Sequence, residues 1–265
     1  VIALLLAVAM ASRAPSRPAL IELGRLLFFD PRLSANRTQS CASCHQPELA
    51  YTDARRVAIG STGEHHTRNV PTLTNIGARG IDLERQAMRP MLRTHPIELG
   101  ALGHEREIMS RFANDPAYRD LFARGFPSTL RRFTMRNAAR AIAAFERTLT
   151  STDAPFDRAA AGDHDAMPAG AWRGLQLFSA RGCASCHAGT NFSRGDDVPT
   201  LRNIVSTAPY MRDGSANTIE EVFDRHAPQL SCDERASMTA LLESLSGPVM
   251  SANGGAQKLV TAPPR

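Results

Sequence analysis

The pentapeptide Cys41-Ala42-Ser43-Cys44-His45 returns letter for letter as Cys183-Ala184-Ser185-Cys186-His187. Nothing else in the chain narrows its possible folds as much. Two thiols separated by two residues reach one edge of a flat macrocycle from a single turn of backbone, and an imidazole on the next residue can swing beneath the ring. C-x-x-C-H is the attachment signature of c-type haem: the thiols become thioethers to the vinyl groups and the histidine is an axial iron ligand. Two covalently attached haems are expected, one on Cys41, Cys44 and His45, the other on Cys183, Cys186 and His187. A structural zinc site built from the four cysteines, or a pair of disulfides, are the alternatives, and neither requires a histidine at the fifth position.

A chain of 265 residues holds one large or two modest domains. The two motifs favour two. The formal charge of +5 raises the question of a nucleic-acid partner. Two haems bring four propionates, which account for most of that excess, and no basic run with stacking aromatics is present, so no nucleic acid is expected. Arg131, Arg132 and Arg136 read as a solvated helix start or as propionate partners. Aromatics make up only 6% of the residues, in keeping with porphyrins supplying flat apolar filling.

Residues 1–11 are apolar and end in Ala9-Met10-Ala11, the pattern of a signal-peptide core and cleavage site whose Met and basic start are missing. The run is too short to span a bilayer. A buried first helix or a retained anchor is the other reading. Export to the periplasm agrees with covalent haem attachment, which takes place outside the cytoplasm.

Helical stripes predict helices over 18–29, 115–124, 137–149, 169–178, 218–226 and 233–245. Asp30-Pro31 ends the first. Residues 46–68 lack periodicity and carry Gly60-Ser61-Thr62-Gly63, a loop able to cover a haem face. No strands are expected, and the tail from Gly247 should fray.

The motif has company in its repetition. Gly24-Arg25-Leu26-Leu27-Phe28 is answered by Gly174-Leu175-Gln176-Leu177-Phe178, and Val70-Pro71-Thr72-Leu73-Thr74-Asn75-Ile76 by Val198-Pro199-Thr200-Leu201-Arg202-Asn203-Ile204. Three similar elements in one order indicate an internal duplication. The expected fold is all-α, with two cytochrome-c-like haem domains at 12–150 and 168–265 joined by a linker at 151–167.

On these motifs, with Gln86-Ala87-Met88-Arg89-Pro90, Glu98 and Ala208-Pro209-Tyr210-Met211-Arg212-Asp213-Gly214, the chain resembles the bacterial di-haem cytochrome c peroxidase superfamily. The resemblance covers nearly everything after the apolar start. Thr94-His95-Pro96-Ile97-Glu98-Leu99-Gly100 is most similar to the methanobactin-associated di-haem enzymes, which themselves resemble the enzyme that matures the tryptophylquinone of methylamine dehydrogenase. The resemblance implies a peroxide site at the N-terminal haem and an electron-transfer role for the C-terminal haem. Glu98 then matches the distal base, Gln86 its hydrogen-bonding neighbour, and His226 the sixth ligand of the second iron, where the peroxidases usually carry Met. Met211 and Met238 are rival ligands. Asn69, with the carbonyls of Thr207 and Pro209, matches a calcium site between the haems.

Two departures accompany the match. No aromatic corresponds to the Trp that often lies between the haems; Trp172 reads as core, and Tyr210 is another electron route. Arg212 replaces a usual histidine and reads as a propionate partner. His65 and His66 read as loop residues able to reach the first iron, His95, His104 and His164 are weaker candidates, and Cys232 reads as a small buried apolar residue. The implied activity is hydrogen peroxide reduction in the periplasm, with electrons from a small cytochrome c or cupredoxin, or from a side chain of a protein substrate. A di-haem electron carrier without peroxide chemistry is the alternative.

Overall fold

The computed structural model describes residues 14–250 and 256–257, so the apolar run at 1–11 lies outside it. Helix α1 (Arg17–Phe29) begins at Ser16, whose hydroxyl accepts from the Ala19 amide at 3.4 Å, with Pro18 in the first turn where a missing N–H costs nothing. Leu23, Leu27 and Phe28 share its buried face. The helix stops at Asp30, which turns its carboxylate onto the Arg32 amide at 2.8 Å ahead of the next turn.

Helices α2 (Leu83–Leu92), α3 (Glu105–Ala113), α4 (Pro116–Gly125) and α5 (Met135–Glu146) complete the first half. In the second, α6 (Pro155–Ala160), α7 (Ala169–Ala180), α8 (Ile219–His226) and α9 (Cys232–Ser244) follow. Sheet among the described residues is limited to β1 (Val249–Met250), antiparallel to β2 (Ala256–Gln257). The molecule is thus mostly helical with almost no sheet, and none of its described helices is long and apolar enough to cross a membrane.

Several elements depart from the sequence expectation. Helices α2, α3 and α6 were not anticipated: α6 lies within the expected linker and packs Ala159 into the second core, while α2 contains Pro90, which removes an N–H and clashes with the turn before it, and the helix ends soon after. The tail does not fray through Met250. Val249 is fully buried, and the Met250 amide donates to the Thr150 carbonyl at 2.7 Å.

The described residues form two apolar cores. The first gathers Leu23, Leu27, Phe28, Phe112, Phe122, Ile142 and Phe145, and Val249 joins it from the far end of the chain. The second gathers Met167, Phe178, Phe192, Phe223, Leu241 and Leu245, with Ala159 of α6. Each large side chain so buried is worth about 1.5–3 kcal/mol against exposure. Within each core one pair of helices crosses at close range, α1 on α5 and α7 on α9. A Cβ on Gly24 would collide with the Ala141 carbonyl, and one on Gly174 with the Ser237 carbonyl. Only glycine lets backbone meet backbone at these crossings.

The repeated V-P-T-L-x-N-I segments make matching bonds. Thr72 donates its hydroxyl to the Ala50 carbonyl and accepts from the Thr74 amide at 3.0 Å; Thr200 donates to the Asn191 carbonyl and accepts from the Arg202 amide at 3.0 Å. Asn75 and Asn203 both take left-handed backbone, at φ 54° and 57°. Asn75 Oδ1 accepts from the Ser151 amide at 2.7 Å, past the end of α5, and Asn203 Oδ1 from the Gly247 amide at 2.8 Å, past the end of α9. Each segment therefore ties its loop to the last long helix of its own half.

Candidate functional site

Both cysteine motifs are single 3-10 turns. In the first, Ser40 and Ser43 bond reciprocally, the Ser40 amide donating to the Ser43 hydroxyl at 3.0 Å, and the His45 amide closes onto the Cys41 carbonyl at 2.9 Å. In the second, Gly182 enters at φ 80° and the His187 amide closes onto the Cys183 carbonyl at 3.0 Å. Cys41 and Ala42 lie against the first core, Cys183 and Ala184 against the second.

The histidines are oriented alike. His45 Nδ1 lies 2.9 Å from the Tyr51 carbonyl and His187 Nδ1 3.2 Å from the Phe192 carbonyl. A carbonyl only accepts, so Nδ1 carries the proton in both rings and Nε2 is left with its lone pair free for a metal. Burial pushes both imidazoles toward the neutral form that ligation needs; for His187 the nearby His226 adds to the effect. Burial also raises the thiols, Cys44 to about 11 and Cys41 further, with Asp53 acting on the former and Glu146 on the latter. These are neutral thiols.

The four motif cysteines are all unpaired, and no group of three or more His, Cys, Asp or Glu among the described residues converges on a metal position. The zinc and disulfide alternatives therefore lack their geometry. Haem fits: each turn presents two thiols and an imidazole with a free Nε2, backed by apolar side chains.

The fit extends across the second site. His226 ends α8, whose start is capped by Thr218 and whose first turn carries Glu220 and Glu221. Its ring centroid is 6.5 Å from that of His187, with the planes at 80°. Two imidazoles on opposite sides of one metal, each bonded at about 2 Å, place their centroids roughly 6 Å apart. Met211 is exposed at left-handed φ 69°, while Met238 is buried in the second core.

Among the described residues no second imidazole is paired with His45. The charge of Glu98 acts on both Cys41 and Cys44, adding to the effect of burial. Its segment folds back onto the end of α2 through the Leu99 amide on the Pro90 carbonyl at 3.0 Å and the Ala101 amide on the Met91 carbonyl at 2.8 Å. Glu98 Oε1 lies 3.4 Å from Arg93 Nη1 and 3.9 Å from His66 Nδ1. Gln86 sits in the second turn of α2 and accepts from Arg89 at 2.8 Å; it has no direct bond to Glu98.

Asn69 stands where the halves meet. Its amide donates to the Arg212 carbonyl at 2.8 Å and its Nδ2 to the Arg55 carbonyl at 2.8 Å, which ties it to the segment that follows Thr207 and Pro209. Arg212 is exposed, and Tyr210 is buried. Arg79, itself buried, crosses between the halves and donates to the carbonyls of Gly195 at 2.9 Å and Asp196 at 3.1 Å.

Other candidates fall elsewhere. His65 is exposed, His95 lies 3.7 Å from Glu64 and His104 3.7 Å from Glu107. Trp172 is half-buried against the second core and donates to the His164 carbonyl at 3.2 Å. Arg132 caps carbonyls of its own loop, at Phe126 and Pro127. Cys232 corrects the sequence expectation: it is exposed, because it opens α9 on the solvent side of the capping box formed by Ser231 and Glu234. The sequence reading passed over Glu146, a carboxylate on the buried stripe of α5, and Asp53, each with a buried oxygen lacking a partner. A charged residue in phase with Ile142 and Phe145 was the available signal for Glu146.

Comparison with known proteins places this geometry. Residues 18–165, more than half of the chain, match the family model described as di-haem cytochrome c peroxidase. The methylamine utilization protein MauG of Methylorubrum extorquens is 33% identical over 87% of this chain and 79% of that protein. The cytochrome c551 peroxidase of Nitrosomonas europaea is 30% identical over 88% of this chain and 81% of its own. A crystal structure of a MauG-like protein associated with microbial copper homeostasis superposes with a TM-score of 0.79 at 30% identity, covering 89% of this chain and 91% of that one. With its paired attachment turns and these relatives, the chain belongs to the di-haem cytochrome c peroxidase family, oxidoreductases that carry two covalently bound c-type haems.

Proposed function

We propose that the chain is a periplasmic di-haem peroxidase that reduces hydrogen peroxide at the N-terminal haem, with the C-terminal haem relaying electrons. The asymmetry between the two sites carries this reading. Opposite His187 stands a second imidazole, His226, whereas the carboxylate of Glu98 lies near enough to the first motif for its charge to act on Cys41 and Cys44. When bound, the haems supply the two electrons that, with two protons, convert peroxide to two waters.

The chain supplies orientation and protons. His45, its Nδ1 fixed by the Tyr51 carbonyl, would hold the first iron through Nε2, and that iron would supply the site of peroxide reduction. Glu98 takes the proton from the incoming peroxide oxygen and returns it to the departing one, with Gln86 as hydrogen-bonding neighbour. His187 and His226 would hold the second iron, and two imidazoles favour a lower potential than His/Met. Asn69 Oδ1 with the Thr207 and Pro209 carbonyls forms an oxygen set suited to calcium between the haems. The haem units at 12–150 and 168–265 arose by duplication, a reading supported by the matched Thr and Asn bonds of the two halves.

The electrons come from a side chain of a protein substrate or from a small cytochrome c or cupredoxin. The similarity to the MauG-like structure favours the first. The test is stoichiometric peroxide added to the purified diferric protein, followed by optical and EPR spectroscopy, with Glu98→Gln alongside. The proposal expects a spectral change at the first haem that Glu98→Gln slows roughly 100-fold. Two six-coordinate irons in every redox state and no response to peroxide would make the protein an electron carrier instead.

A further inference from the structure

The loop after the first motif is fastened to the segment that carries Glu98. Within the loop, the Ala58 amide donates to the Arg68 carbonyl at 3.2 Å, the His66 amide to Ala58 at 2.9 Å, and the Gly60 amide to Glu64 at 2.8 Å. Between loop and segment, the Ser61 amide donates to the Glu98 carbonyl at 2.9 Å, and the Ile97 amide to Glu64 Oε2 at 2.7 Å. Asn36 and Gln39 hold the same loop from the side of the first motif, on Ser61 and Ile59. Glu98 is thus bracketed by two hydrogen bonds to the loop that bears His66, one from the Ser61 amide and one to the Glu64 carboxylate.

That frame places the His66 ring against the Glu98 carboxylate. Only 9% of the His66 side chain is exposed, and its Nδ1 lies 3.9 Å from Oε1. A shift of about 1 Å, or one bridging water, completes a hydrogen bond across such a gap. On the other side of the same oxygen is Arg93, at 3.4 Å. The remaining charged groups of the two facing segments are occupied elsewhere or exposed: Glu64 is bonded to Ile97 and close to His95, and His65 and Arg68 are exposed. A guanidinium holds its protons throughout, while an imidazole gives and takes one near neutral pH.

We propose that His66 is a positioning residue for Glu98, holding the carboxylate toward the first haem and exchanging protons between it and the loop surface. The proposal rests on the reading of Glu98 as base. It also assigns His66 a role other than iron ligand, a distinction read from the ferric spin state when His66 is replaced.

The test uses the holoprotein and two reactions of the ferric first haem, with peroxide and with cyanide. Hydrogen cyanide loses a proton as it binds, so its association rate reads the base without turnover. Four proteins are compared: wild type, His66→Gln, Glu98→Gln and the double variant, with His66→Asn as a second replacement and haem content as the check on folding. Expected for His66→Gln is a fall of roughly 10- to 100-fold in both association rates, an unchanged ferric EPR spin state, and partial recovery of the peroxide rate as phosphate buffer is raised. In the Glu98→Gln background, His66→Gln should have little further effect, since the two act as one unit. Multiplicative losses in the double variant, no recovery with buffer, or a low-spin to high-spin conversion on losing His66 would overturn the proposal. Unchanged rates in Glu98→Gln would instead remove the base itself, whereas slow Glu98→Gln with normal His66→Gln would remove only His66.

Discussion

Glu146 offers the most direct quantitative check on the first half. It ends α5 with 7% of its surface exposed and Oε2 buried without a partner. Arg147, the adjacent cation, is committed to Glu84, whose two oxygens it grips at 2.8 and 2.9 Å. Burial pushes the Glu146 carboxyl up to about 8 from 4.5, with Arg147 opposing and Glu84 reinforcing. The folded state therefore binds this proton more tightly than the unfolded chain does. The group's contribution is complete below pH 4.5 and is lost as pH rises toward 8, by about 1.4 kcal/mol per unit between those limits. By pH 7 the loss is on the order of 3 kcal/mol. Glu146→Gln keeps the shape and removes the titration. Denaturant unfolding of the holoprotein at pH 5 and pH 8 should show wild type losing stability relative to the variant across that range by several kcal/mol. A variant-minus-wild-type difference that stayed constant with pH would refute the argument, because it would mean that Glu146 is solvated or paired.

Three further outcomes are expected. His226→Ala should convert the low-spin EPR signal of the second haem to high spin while leaving the first haem's signal intact; an unchanged spectrum would point to Met211 or another ligand. Gly24→Ala and Gly174→Ala should each lower stability by about 1–3 kcal/mol or more, read as a fall in the melting temperature of the corresponding half, because each introduces a methyl group into a carbonyl. Arg202→Leu should cost roughly 3–5 kcal/mol in the second half, since the 3%-exposed guanidinium binds both Asp157 oxygens, at 2.7 and 2.9 Å, and its loss strands that carboxylate; a cost below 1 kcal/mol in denaturant unfolding would contradict it.

The helices α1, α4, α5, α7 and α8 were readable because each carries an apolar stripe with a 3.6-residue period, whereas α9, whose buried face mixes Met238 and Leu241 with Ser237 and Ser244, was marked by its Ser231–Glu234 start. Helix α2 was hidden by Pro90, and α3 by its brevity and charge, its three buried residues being Ile108, Met109 and Phe112. The attachment turns were legible outright, since covalent chemistry dictates their spacing. The V-P-T-L-x-N-I echo was visible as letters, but the task of its Asn, closing a left-handed corner onto the end of a distant helix, is a tertiary property. The same holds for His66. Nothing local distinguishes it from exposed His65; only the fastening of the loop to residues 97 and 98 turns its ring onto Glu98.

Val249 has a consequence for the order in which the protein can be completed. The chain leaves the first core at Leu149, builds the whole second half, and only then returns to fill a fully buried place beside the residues it left. During synthesis or translocation, which proceed from the N-terminus, the earlier unit must wait for the later one to emerge before its interior is sealed. A stop at residue 246 would remove nothing from the second attachment turn or from α8, yet the injury would be felt in the core that holds Phe145 and Leu149, in the half made first.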